Sequence, residues 1–221
     1  MKGLWTKWVA AGALCAMALF GYARLDEPGF EGSVALGEWV GPWGFGAVGG
    51  EGSGSFVDSG EHDFVRTGNH ALRLTVRDNG NPEAVAWAGV SQTKLCEPRS
   101  RVRAGAWIYC SGDHSPPTEG RAIAQLRLEY FRDETAEQII PTHVTLSTPF
   151  TSSTGHAPDT WHLVQVYDRV PSQARALKFS ILLLSQRPDN KGKVVWIDDA
   201  FLEFQDQHGA GSYTDFEGRA Y

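Results

Sequence analysis

Polar and apolar residues alternate with a period of two through most of the chain beyond residue 70. In 70–77 (HALRLTVR), Leu72, Leu74 and Val76 alternate with Arg73, Thr75 and Arg77. In 101–110 (RVRAGAWIYC), Val102, Ala104, Ala106 and Ile108 share one face, and Arg101, Arg103, Trp107 and Tyr109 share the other. In 121–131 (RAIAQLRLEYF), Ala122, Ala124, Leu126, Leu128 and Tyr130 point inward, leaving Gln125, Arg127 and Glu129 facing away. Residues 176–184 put Leu177, Phe179, Ile181 and Leu183 on one face, and 193–204 forms a further strand. Weaker strands are expected at 84–92, 138–147 and 161–170. This alternation is the mark of antiparallel strands packed on one side.

Turn-forming clusters separate the runs: Asp78-Asn79-Gly80-Asn81-Pro82, Ser111 to Pro117, Ser152 to Thr160 and Arg187 to Gly192. No segment sustains an apolar period of 3.6 residues over three turns. Strands without crossover helices predict an all-β fold, a two-sheet antiparallel β-sandwich of jelly-roll type. The expected organisation is one domain over residues 25–204, then a polar tail at 205–221. Residues 41–60 (GPWGFGAVGGEGSGSFVDSG) hold a dense share of the glycines and are expected to form a long exposed loop.

Composition sharpens this picture in three places. The 221 residues carry a formal charge of −6, which argues against nucleic acid as a partner. Lys2 and Lys7 precede an unbroken small-apolar run from Val9 to Phe20, and Gly21-Tyr22-Ala23 offers small residues at a cleavage point. The run is too short to span a bilayer, so residues 1–23 are expected to be a secretory signal peptide, with no membrane insertion after cleavage. The destination is then secreted, periplasmic or cell surface. Outside the leader the cysteines are Cys96 and Cys110, which bracket a strand about 27 Å long. A disulfide needs Cα atoms within about 7 Å, so two separate thiols are expected rather than a bridge.

Several segments resemble one family in order and spacing. Pro28-Gly29-Phe30-Glu31-Gly32 with its following Gly/Trp-rich stretch, Arg66 to Leu74 (RTGNHALRL), and Val90-Ser91-Gln92 come first. Ala106-Trp107-Ile108, Leu128 to Phe131, Asp159-Thr160-Trp161 through Pro171, and Val194 to Leu202 (VVWIDDAFL) follow. Together they resemble the galactose-binding-domain-like jelly roll of secreted carbohydrate-binding modules, closest to families four, nine and twenty-two. The resemblance implies a β-sandwich, a carbohydrate partner, and a structural calcium where the first and last strands meet. Glu31 with Asp198 or Asp199 match the calcium ligands, with carbonyls around 67–70 completing the shell. Two adjacent acids in an otherwise apolar strand are costly without a cation or hydrogen bonds.

A sugar site needs aromatic rings for the CH-rich faces of the ring, with amide, carboxylate and guanidinium groups for its hydroxyls. Alternation places Trp107, Tyr109, Gln125, Arg127 and Glu129 on the non-core faces of two strands taken as neighbours. Trp87 joins them if Ala84, Ala86 and Ala88 face the core, and Trp39 and Trp43 are placed at the groove rim. A solvated Arg127–Glu129 pair and a Trp107 packed beneath a loop are the alternative for the same residues. Trp161 and Trp196 are assigned to packing. The seven histidines show no HExxH spacing, and no nucleophile-elbow, P-loop or dinucleotide-binding motif occurs. The expectation is a secreted, non-catalytic module binding a polysaccharide. A structural or protein-interaction jelly roll without a sugar ligand is the second reading.

Overall fold

The computed structural model describes residues 25, 30, 43–48, 50–58, 64–78, 86–111, 122–151, 154–185 and 193–205. The signal segment 1–23, Glu31, Trp39 and the tail beyond 205 lie outside the described residues. Ten strands follow in chain order: β1 (Gly44–Val48), β2 (Gly50–Asp58), β3 (His70–Asp78), β4 (Ala86–Leu95) and β5 (Arg101–Tyr109) come first. Then come β6 (Ala122–Phe131), β7 (Ile139–Leu146), β8 (His162–Arg169), β9 (Ala176–Ser185) and β10 (Lys193–Gln205). All pairings are antiparallel. They build two five-stranded sheets, one in the order β1-β4-β9-β6-β7 and the other β2-β3-β10-β5-β8. The expected two-sheet jelly roll is the observed architecture.

The inner faces are those alternation assigned. Leu72, Leu74 and Ile108 from the second sheet meet Leu126, Leu128 and Ile181 from the first, all with 0% exposure. Burying such side chains is the main force holding the sandwich, about 1.5–3 kcal/mol each. Two features depart from the expectation. The glycine-rich stretch 41–60 is not a loop, since β1 and β2 lie within it and pair with β4 and β3. Glycines carry no side chain, so a strand made of them leaves no alternation to read.

The second departure sits in β10. Up to Ile197 the odd-numbered residues face the core, whereas Ala200, Leu202 and Phe204 do so afterwards. A β-bulge between Asp198 and Phe201 inserts one residue opposite Trp107–Gly105 and switches the parity. Asp199 takes up the bulge with φ 45°, in the left-handed region that aspartate tolerates better than most residues. The adjacent acids noticed in the sequence are therefore the bulge itself. Among the described residues, no helix is long and apolar enough to cross a membrane. Cys96 and Cys110 are not joined by a disulfide.

Candidate functional site

The outward face of the first sheet can be read row by row from its register. One row runs Gly44, Ser91, Ser180, Arg127 across β1, β4, β9 and β6. The next runs Gly46, Gly89, Leu182, Gln125. Trp87 and Leu184 stand opposite each other at one end, and Lys178 opposite Glu129 at the other. Small residues in the middle and large ones at the ends leave a groove of about 390 Å³. Its floor is Gly46, Gly89 and the two serines, its apolar end is Trp87 with Leu184, and its charged end is Arg127, Glu129 and Lys178.

The charged end is organised around Glu129. That residue is 9% exposed, and its Oε1 accepts a hydrogen bond of 2.7 Å from Nη2 of Arg127. A carboxylate this buried needs such a partner. The Nε–H of Arg127 is buried without a hydrogen-bond partner. An unmet buried donor costs about 1–3 kcal/mol; the rest of the side chain, 37% exposed, lines the groove. The amide nitrogen of Gln125 donates to the carbonyl of Ser147 at 2.8 Å, which ties that side chain to the segment after β7 and away from the groove.

Trp107 and Tyr109 belong elsewhere, because β5 and β6 are in different sheets. The expectation that they share a face with Arg127 and Glu129 is corrected: the outer faces of a sandwich point in opposite directions. The guanidinium of Arg66 stacks on the Trp107 ring at 3.9 Å from its centroid. Tyr109 packs among Phe64, Trp161 and Trp196 at ring distances of 5.1, 5.4 and 5.9 Å. Trp161 and Trp196 thus pack as expected. Trp43 is also corrected, from groove rim to core: it is 2% exposed and its ring lies 5.2 Å from that of Phe30 and 6.3 Å from Phe179.

The bulge acids hold the segment that carries Arg66. Oδ2 of Asp198 accepts the backbone N–H groups of Arg66 and Thr67 at 2.9 and 3.0 Å, and Oδ1 accepts that of Asp199 at 2.7 Å. Asp199 accepts from the Thr67 hydroxyl at 2.7 Å and pairs with the Arg66 guanidinium. Burial pushes the Asp198 carboxyl up to about 6, against the lowering pull of those N–H groups. The residues expected near 67–70 are therefore adjacent to Asp198 and Asp199, but they present N–H and hydroxyl donors to the carboxylates. Among the described residues no cluster of three metal-ligating side chains forms.

Lys178, Ser91 and Ser180 were not singled out from the sequence as site residues. The alternation of β9 and β4 already turned them outward. What it did not contain was the neighbour relation β4-β9-β6 that sets them beside Trp87 and Arg127.

No family model and no curated protein matches the chain. Among solved structures, the enzymatically active domain of tailspike protein 4 of bacteriophage CBA120 superposes with a TM-score of 0.52 at 14% identity, covering 74% of this chain and 19% of that one. A study of the promiscuous specificity of carbohydrate-binding modules of the β-sandwich superfamily supplies a second, with TM-score 0.49, 12% identity, and 76% and 58% coverage. TmCBM61 in complex with β-1,4-galactotriose aligns at TM-score 0.47 and 14% identity, over 82% of this chain and 97% of that one. This chain spans about a fifth of the tailspike chain and nearly all of the TmCBM61 chain. These likenesses bear on the fold alone, the two-sheet antiparallel β-sandwich that the strand order already describes.

Proposed function

We propose that the protein is a non-catalytic module that holds a carbohydrate chain in the groove of the first sheet. The observation that carries this reading is the pairing of an indole at one end with unspent polar groups at the other. Trp87 offers a flat apolar surface for a sugar ring, and Arg127, Lys178 and the two serines offer donors for ring and hydroxyl oxygens. Along β4 the Trp87 row and the Ser91 row are four residues apart, about 13 Å. That exceeds one pyranose ring, so an oligosaccharide segment suits the groove better than a monosaccharide. Glu129 is the only carboxylate among the described lining residues, and glycoside hydrolysis ordinarily uses two. Binding without turnover is the chemistry this supports.

Affinity electrophoresis against soluble glucans, xylans, mannans and galactans tests it. Retardation by at least one glycan, abolished by Trp87→Ala in a folded variant, is expected. Migration unaffected by every glycan would overturn the reading. That outcome would favour an interaction module, which the exposed Leu146 and Tyr167 on the edge strands β7 and β8 support, at 51% and 62% exposure.

Two further parts of the proposal rest on sequence. Secretion follows from the Lys2/Lys7 and Val9–Phe20 pattern. A calcium ion at Glu31, Asp198 and Asp199 follows from the family resemblance, and it would compete with Arg66 for the Asp199 carboxylate. A melting temperature raised by calcium and lowered by chelator is the expected sign; no change with either would remove the ion from the proposal.

A further inference from the structure

Resting on the carbohydrate reading, we propose that the groove selects an acidic glycan, one whose sugar rings carry carboxylates. The chain as a whole has a formal charge of −6. Its groove has the opposite balance: among the described lining residues the charged ones are Arg127 and Lys178 against the single acid Glu129. An acidic protein that collects excess positive charge in one concave site focuses that potential on its ligand.

The geometry sharpens the charge count. Lys178 is the cross-strand neighbour of Glu129, and Ser180 that of Arg127, so Arg127 and Lys178 are diagonal neighbours on one face. Diagonal neighbours on a sheet face are about 7–8 Å apart, a gap one carboxylate can bridge. Glu129 already accepts from Nη2 of Arg127, while the buried Nε–H of the same guanidinium has no acceptor. A ligand carboxylate at this end would pair with the exposed part of the Arg127 guanidinium and with Lys178 through charge-assisted hydrogen bonds. A neutral sugar hydroxyl could accept from the guanidinium as well, but it would leave the second cation without a counter-charge. Trp87, at the far end, would stack the ring of a neighbouring residue of the same chain.

The test compares ligands that share a backbone and differ in charge. Binding of the protein to polygalacturonate, alginate and fully methyl-esterified polygalacturonate is measured by affinity electrophoresis and calorimetry, with neutral glucan and xylan alongside. The expected result is binding to at least one of the two acids, weakened by added salt and lost or much reduced for the methyl ester. Lys178→Gln leaves the Arg127–Glu129 pair in place and is expected to weaken acid binding about tenfold. Acid binding that is insensitive to Lys178→Gln, or matched by dextran sulfate, overturns the inference. Binding to neutral glycans with none to either acid overturns it too, while leaving the carbohydrate reading intact. No binding to any glycan overturns both.

Discussion

The indole of Trp87 lies directly over the backbone of Gly46: a Cβ at Gly46 would stand 2.9 Å from Cη2 and 3.2 Å from Cζ3. The glycine sets how far the ring can settle toward the groove floor. Gly89, on the neighbouring strand, is confined differently. Its Cβ would meet the Cδ2 methyl of Leu182 at 2.6 Å and the backbone oxygen of Ile181 at 2.7 Å. Gly46→Ala is therefore expected to tilt the indole, change its fluorescence and weaken glycan binding several-fold at little cost in stability. Gly89→Ala presses on backbone and should cost about 1–3 kcal/mol. Chemical denaturation of both variants checks the contrast, and equal costs would contradict it.

Tyr130 links the two sheets at their β6 and β8 strands. Its side chain is fully buried, and its hydroxyl donates to Oδ2 of Asp168 at 2.9 Å, an oxygen that also accepts from Thr145 on β7. Burial first, then the Asp168 charge, raises the phenol well above its ordinary range, so it stays a donor. Tyr130→Phe keeps the ring and removes one hydrogen bond to a charged acceptor, a loss of about 1.5–3 kcal/mol. Urea unfolding measures it.

His156 gives the fold a dependence on pH. It stacks on Phe150 at 4.6 Å and meets His162 edge-on at 5.0 Å. Burial, followed by repulsion from a charged His162, lowers its pKa, although the Thr151 carbonyl pulls the other way. The folded state thus binds fewer protons at this site than the unfolded chain does. Its stabilising contribution is present above the ordinary histidine value of about 6.5 and is lost as pH falls below it. His156→Gln removes the titration, so the stability gap between wild type and variant should shrink or reverse from pH 7.5 to pH 5. Melting curves across that range check the sign, and a gap that widens toward acid would refute it.

The two thiols should resist modification for separate reasons. Cys110 is 1% exposed with its Sγ donating to the Ser111 carbonyl at 3.6 Å. Cys96 is pushed up to about 12, by burial chiefly, with the Arg175 charge opposing. Thiolate is the reactive form, so native protein lacking residues 1–23, which hold Cys15, should take up almost no iodoacetamide at pH 8. In denaturant without reductant both cysteines should be alkylated, read by intact mass. Failure to alkylate them there would mean a disulfide.

Much of this protein was legible in the sequence because side-chain alternation along a strand is local. Each Cβ points opposite to the next, so the pattern alone sorted Leu126 and Leu128 inward from Arg127 and Glu129 outward, and did the same for β3, β5 and β9. The same rule failed wherever the local signal was missing. The glycines of β1 and β2 have no side chain to alternate, and the bulge at Asp198–Phe201 reverses the parity within a single strand. The separation of Trp107 and Tyr109 from Arg127 and Glu129 was beyond it altogether. Alternation says which way a residue faces and nothing about which strand lies beside it. The order β4-β9-β6, made by hydrogen bonds between segments far apart in the chain, is what brings Trp87, Lys178 and Arg127 into one groove.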